Sequence, residues 1–100
     1  YSTVQKKGRD SRRKADLKAI QNAMEQCYSL NNEYPTSLTG GSALTCGSET
    51  VMDSLPVDPK DGTDYIKSTL TTSAYTICAD LEGDGTWNGS NCDCWVSSLQ

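Results

Sequence analysis

Residues 14–34 read KADLKAIQNAMEQCYSLNNEY, and this stretch decides the fold because its apolar side chains recur at helical spacing. We expect this apolar face to pack on the rest of the protein. Four residues define the packing face: Leu17, Ile20, Met24 and Tyr28. Pro35 follows directly, and the residue before a proline avoids helical dihedral angles. No proline stands upstream, so the sequence predicts one helix over residues 1–30.

The composition indicates a small secreted domain. The 100 residues form one domain, residues 1–100, whose core is small enough to benefit from cross-links. Five cysteines and no histidine are typical of disulfide-stabilised proteins from an oxidising compartment. We expect a chain that begins at Tyr1 rather than at methionine to be a truncated or matured form of a longer protein.

Charge is distributed unevenly along the chain. Residues 1–18 hold seven basic and two acidic side chains, for a net +5, whereas residues 19–100 hold two basic and eleven acidic ones, for −9. A basic helix on an acidic head could bind nucleic acid or an anionic membrane. The alternatives are a solvated helix, or attraction between the helix and head of identical subunits. The solvated helix and the attraction between subunits are favoured over nucleic-acid or membrane binding, since no aromatic side chain interleaves the basic run to stack on bases.

Beyond Pro35 the pattern changes to loops and strands. Residues 31–63 are predicted to form a loop region, with one helical turn over residues 51–55. Residues 64–100 are predicted to form an antiparallel sheet, because short or polar loops join the strand candidates. Those candidates are residues 65–70, 74–81 and 92–99. The predicted fold class is α+β, a long N-terminal α-helix packed on a small three- to four-stranded antiparallel sheet.

Alternation along the strands assigns the two faces of the sheet. The residues predicted to face the helix are Ile66, Leu70, Tyr75, Ile77, Ala79, Leu81, Trp95 and Leu99. The cysteines of the sheet, Cys78, Cys92 and Cys94, are predicted to lie on the opposite face with polar neighbours.

Two disulfides are expected from this layout. Cys27 faces the sheet or the loop that carries Cys46, and a bridge would close a loop of about 19 residues, stabilising by roughly 3 kcal/mol. Cys78 and Cys94 share a face of neighbouring strands, so we prefer a bridge between them. Cys92 is either free or the alternative partner of Cys78. A zinc site is disfavoured, because no CxxC spacing occurs.

Three segments, taken together, resemble a known family. They are RDSRRKADLKAIQNAMEQCYSLNNEYPTS at residues 9–37, LPVDPKDGTDYIKS at residues 55–68 and AYTICADLE at residues 74–82. Their order is similar to that of a type IV pilin or a type II secretion major pseudopilin. The resemblance implies an apolar helix half preceding residue 1, which anchors the protein in the inner membrane before assembly and packs in a filament core afterwards.

The resemblance also implies a function. It indicates a structural subunit of a type IV pilus or pseudopilus, a filament of identical subunits built by pilus or secretion machinery. The filament would lie at the cell surface or outside the cell, with the globular head exposed. The alternative is a minor pilin or tip binding module that recognises DNA or a surface ligand.

The loop DLEGDGTWN, residues 80–88, is a candidate calcium site. Oxygen-bearing side chains stand at alternate positions, and calcium takes six to eight oxygen ligands. The candidate ligands are Asp80, Glu82, Asp84, Thr86 and Asn88. Asn91 at the twelfth position, in place of glutamate, excludes an EF-hand. The resemblance implies calcium in this loop, whereas the alternative is a polar hairpin loop whose Asp and Gly satisfy turn geometry.

Catalytic motifs are lacking in the sequence. There is no histidine to act as general base, and neither a G-x-S-x-G nor a P-loop motif occurs. We expect that the protein is not an enzyme.

Overall fold

The computed structural model describes residues 2–83, 85 and 87–100, apart from the side chain of Ser2. Helix α1 is Ser2–Asn31 and contains 30 residues. It ends where Asn32 adopts a left-handed φ of 59°. Asparagine is one of the few residues that tolerate this conformation, which turns the chain out of the helix ahead of Pro35. The long predicted helix is present.

The strands form two small antiparallel sheets. Strands β1, Leu44–Cys46, and β2, Glu49–Met52, form a hairpin. Strands β3, Ile66–Leu70, β4, Tyr75–Ala79, and β5, Cys94–Ser97, form a sheet in the order β3-β4-β5. One helix packed on two plus three antiparallel strands is an α+β fold, as predicted. The helical turn predicted for residues 51–55 is wrong, because Met52 pairs with Leu44 across the hairpin.

The core lies between α1 and the sheets. Met24 is fully buried and belongs to an apolar cluster that side chains of α1 and β4 form together. The helix contributes Leu17, Ile20, Ala23 and Met24 to this cluster, and the partly buried Tyr28 packs against it. Strand β4 contributes Tyr75, Ile77 and Ala79. Burying each large apolar side chain stabilises the fold by roughly 1.5–3 kcal/mol.

Three side chains predicted to face the helix do not. Trp95 pairs with Cys78 and is 61% exposed, while Val96 pairs with Ile77 and packs on the core. A shift of one residue exchanges the faces of a whole strand, and here the pairing with β4 decides the register. Leu99 lies beyond the end of β5 and is 68% exposed.

A β-bulge explains the third error. The register of β3 shifts between Lys67 and Thr69. Ile66 pairs with Cys78 on the outer face, whereas Leu70, past the bulge, packs against the core. An extra residue in one strand reverses the alternation, which the sequence pattern does not reveal.

The N-terminal turns of α1 extend away from the sheets. Residues 3–8 are exposed, and Val4 is 73% exposed. The molecule is 44 Å long, close to the roughly 45 Å of a 30-residue helix. We call residues 3–8 the stem. Among the described residues, no helix combines the length and apolarity needed to cross a membrane.

Candidate functional site

A buried ionic network fastens two loops to α1. The Arg13 side chain is 0% exposed, and its guanidinium donates to both oxygens of Asp58 at 2.8 and 3.0 Å. Its Nη1 donates to Asp10 and to Glu82, each at 2.8 Å. Arg9 adds a bidentate pair with Glu82 at 2.6 and 2.7 Å. Paired, hydrogen-bonded charges of this kind hold the loop at residue 58 and the loop at residue 82 against one helix.

The network shifts the pKa values of its members. Hydrogen bonds from Arg9, and next from Arg13, lower the pKa of Glu82 to about 2. Burial alone would raise the pKa of Asp58, but the hydrogen bonds from Arg13 and from backbone N–H groups such as that of Lys60 together outweigh burial, and the pKa lies below its usual value. The pKa of Arg13 is raised, chiefly by its bond to Asp58. The carboxylates of Asp58 and Glu82 and the guanidinium of Arg13 are therefore ionised at neutral pH.

Trp87 lies against two cations of the network. The Lys60 ammonium lies 4.6 Å from the centroid of the Trp87 ring, and the Arg13 guanidinium lies 5.8 Å from it. Cations over an indole face are attracted by its quadrupole, most strongly where water is excluded. Lys60 also lies 3.4 Å from Glu82. The Trp87 ring therefore packs on two cations of the network.

A second cluster binds the C-terminal residues to the helix. The Glu25 carboxylate accepts hydrogen bonds from the hydroxyls of Tyr75 at 2.7 Å and Tyr34 at 2.9 Å. It also accepts the Leu99 backbone N–H at 3.1 Å. Burial raises the pKa of Glu25, but these donors outweigh burial and leave the pKa below its usual value. The cluster holds the chain that follows β5 against α1.

The structure contains two disulfides: one is the predicted pair, and the other joins Cys78 to a partner different from the preferred one. Cys27 and Cys46 are bonded, with Cα atoms 5.4 Å apart, so the β1–β2 hairpin is linked to the C-terminal part of α1. Cys78 is bonded to Cys92, with Cα atoms 5.3 Å apart. The preferred Cys78–Cys94 bridge is wrong. Cys94 pairs with Ala79 on the helix-facing side of β5 and keeps a free thiol, while Cys92 precedes the strand and reaches the outer face.

Among the described residues of the loop, Asp80 is the proposed calcium ligand whose carboxylate is buried and fixed in place by hydrogen bonds. Its Oδ2 accepts backbone N–H groups from Asn88 and Gly89, each at 2.8 Å. Its Oδ1 is buried and accepts no hydrogen bond from the described residues. Burial raises the pKa of Asp80, but the N–H donors outweigh burial and lower it. A hydrogen bond with the Asp93 side chain also contributes to lowering the pKa of Asp80.

The other proposed ligands do not join Asp80 as a set. Glu82 is committed to Arg9 and Arg13 on the helix side. Asp84 and Thr86 lie outside the described residues. Among the residues that are described, no group of three acidic, Cys or His side chains has the geometry to hold a metal ion. The calcium hypothesis thus stays a prediction, centred on Asp80.

Three of the remaining basic side chains form an exposed stripe on α1. Lys7, Lys14 and Lys18 follow one another at i, i+7 and i+11, a spacing that places them on one side of α1. All three are exposed, and within the described residues no carboxylate lies at ion-pair distance from any of them. We call these residues the lysine stripe.

The comparisons with known proteins identify no relative. The chain matches no protein-family model, no curated protein and no solved structure.

Proposed function

We propose that this chain is the head of a structural subunit of a type IV pilus or pseudopilus. The observation that carries the proposal is the form of α1: its C-terminal part is buried against both sheets, and the exposed stem, residues 3–8, continues the same helix away from the head. A filament subunit needs such a helix, because the part nearest the filament axis packs against neighbouring copies while the head stays outside. The segmental resemblance of residues 9–82 to pilins supports the same function.

The internal cross-links suit a subunit that bears tension. The Cys27–Cys46 bridge links α1 to the hairpin, and the Cys78–Cys92 bridge links β4 to the chain before β5. The Arg13 network ties two further loops to the same helix. A force applied along α1 thus reaches the hairpin through a covalent link, and the loops at residues 58 and 82 through buried ion pairs. A small core alone would resist that force less well.

On this proposal, an apolar segment that precedes residue 1 anchors the subunit in the inner membrane until assembly machinery adds it to the filament. The assembled subunit lies at the cell surface or outside the cell, and its partners are identical copies. Nucleic acid remains the partner of the alternative function, a minor pilin or tip binding module.

Immunogold electron microscopy tests the proposal and separates it from the alternative. Antibodies raised against this chain are applied to filaments sheared from the cells that produce it. A major subunit predicts gold particles along the whole filament. Gold confined to filament tips would instead support the binding module. Recovery of the protein only in filament-free fractions would refute both functions.

A further inference from the structure

One asparagine of this chain precedes a glycine, in the loop that joins β4 to β5. Asn88 is followed by Gly89, whereas the asparagines at positions 22, 31, 32 and 91 precede residues that carry a side chain. A glycine has no Cβ to hinder the approach of its backbone nitrogen to a neighbouring atom. Asn88 is exposed, so water can reach its carboxamide. The dipeptide therefore contains both groups of an intramolecular reaction, a carboxamide carbon and an unhindered nitrogen.

The turn that follows Asn88 favours attack on its carboxamide carbon. The Ser90 backbone N–H donates to Asn88 Oδ1 at 2.8 Å. A donor on a carbonyl oxygen stabilises the negative charge that develops there when a nucleophile adds to the carbon. The same hydrogen bond restricts rotation of the carboxamide and keeps it beside the backbone that follows. Gly89 has a φ of 84°, which residues with a side chain rarely adopt, so this turn requires a glycine.

Asp80 keeps the Gly89 nitrogen from reacting while the loop is closed. Its Oδ2 accepts the N–H groups of Asn88 and Gly89, each at 2.8 Å, and that of Asn91 at 3.4 Å. Asp80 is only 2% exposed, so hydroxide can take the Gly89 proton only after this hydrogen bond has opened. Hydrogen bonds to a charged group are stronger than those between neutral groups. We call the Asp80 carboxylate and these three N–H groups the Asp80 clamp.

The clamp can open without unfolding the head. The Cys78–Cys92 disulfide closes the loop at its base. Glu82, in the first half of the loop, is held separately by Arg13 at 2.8 Å. Opening of residues 88–91 leaves both of these links in place. Local openings of this kind require less free energy than global unfolding.

We propose that Asn88 deamidates spontaneously and that the Asp80 clamp sets the rate. When the clamp opens, the Gly89 nitrogen gives its proton to hydroxide and forms a bond to Asn88 Cγ. The Cγ–Nδ2 bond breaks, and ammonia leaves with a proton taken from water, so the product is a five-membered imide. Water then cleaves the imide: breaking the new bond gives aspartate, and breaking the original peptide bond gives isoaspartate. The reaction consumes only water, and the inference does not depend on the filament function.

Closing of the loop cannot reverse the modification. Isoaspartate lengthens the backbone by one atom between residues 88 and 89, so their two N–H groups no longer fit the same carboxylate oxygen. Either product also adds a carboxylate beside Asp80, and like charges at one site repel. A chain modified at residue 88 is therefore expected to retain the fold of its head but to lose the clamp. The modified fraction increases with the time that the loop has spent open.

Peptide mapping by mass spectrometry during prolonged incubation at neutral pH tests the proposal. The disulfides stay intact, a chelator is present, and the signal is the mass gain that accompanies replacement of an amide by a carboxyl group. We expect the folded chain to react at residue 88 at least about a hundredfold more slowly than the same chain unfolded in guanidinium, because opening the clamp breaks two charged hydrogen bonds. In the unfolded chain, residue 88 should react before the asparagines at positions 22, 31, 32 and 91.

Two variants isolate the clamp. Asp80→Ala removes the acceptor and should speed the reaction of the folded chain at least about tenfold. Asp53→Ala makes the same change of charge at an exposed residue outside the loop and should leave the rate unchanged. Circular dichroism verifies that each variant retains its helix. Equal rates in the two folded variants would overturn the proposal.

The unaltered chain provides a test that needs no variant, should Asp80→Ala fail to fold. In guanidinium below the unfolding transition, hydrogen exchange of the Gly89 amide reports opening of the clamp. Exchange and deamidation should accelerate by the same factor. Deamidation that does not follow exchange, equal rates in the folded and unfolded chains, or an unfolded chain in which residue 88 reacts no faster than the other asparagines would each refute the inference.

Discussion

Replacing Arg13 by methionine is expected to destabilise the fold severely. The side chain is completely buried and makes ion pairs with Asp58 and Glu82. Arg13→Met leaves Asp58 buried with only backbone donors, such as the Lys60 N–H, to stabilise its charge. Removing one partner of a buried ion pair costs about 3–5 kcal/mol.

That cost is large for a domain of this size. A loss of 1 kcal/mol lowers the melting temperature by about 4–8 °C in a domain of 60–100 residues. Arg13→Met should therefore lower it by at least about 12 °C, measured by circular dichroism with the disulfides intact. Adding Asp58→Asn removes the unpaired charge and should recover roughly 1–3 kcal/mol of the loss.

Arg12→Met is the matched control on the adjacent residue. The Arg12 side chain is 63% exposed, and its only ion pair among the described residues is to Asp16 at 3.8 Å. Exposed pairs of this kind contribute about 0–1 kcal/mol, so Arg12→Met should change the melting temperature little. Equal effects of Arg12→Met and Arg13→Met would show that the Arg13 network does not fasten the loops.

Three other predictions follow from the ionised and covalent groups. The pKa of Glu82 falls from 4.5 to about 2 on folding. Its charge should therefore contribute about 3 kcal/mol to the free energy of unfolding above pH 4.5, and this contribution should be lost as the pH falls towards 2. Denaturant titrations should show that the free energy of unfolding of Glu82→Gln depends less on pH in that range, and an unchanged pH dependence would contradict this. Cys92→Ser should lower the free energy of unfolding by about 3 kcal/mol because it opens a disulfide loop, whereas Cys94→Ser should lower it by less than about 1 kcal/mol. Peptide mapping that recovers a Cys78–Cys94 bridge would contradict the Cys78–Cys92 pairing. In metal-stripped protein, calcium should raise the melting temperature; Asp80→Asn should abolish this increase, and Asp61→Asn should retain it. Identical melting temperatures with calcium and with chelator would show that the loop is a polar turn that binds no calcium.

The elements predicted well are those set by local chemistry. The period of Leu17, Ile20 and Met24, followed by Pro35, defines a helix without knowledge of the rest of the chain. Alternation predicts the strands of the larger sheet, and the short or polar loops between them predict that they are antiparallel. The sequence does not predict the β1–β2 hairpin, because its strands have only three and four residues, too few for an alternation of apolar and polar side chains to be visible.

What could not be predicted depends on partners distant in sequence. Arg13 lies in a basic run that suggests a solvated surface, yet its partners Asp58 and Glu82 are 45 and 69 residues away. The only signal was the matching excess of acidic residues in the head. Likewise, the exposure of Trp95 and the choice of Cys92 as the partner of Cys78 follow from the pairing of β5 with β4, which alternation alone does not specify.

A helical reconstruction of the surface filaments by cryo-electron microscopy tests the filament function most directly. We expect the side chains of residues 9–31 to fit a helix that continues into a central bundle, with the sheets outside and each head in contact with identical neighbours. It is contradicted if the filaments are built from a different chain and this protein is absent from their repeating unit.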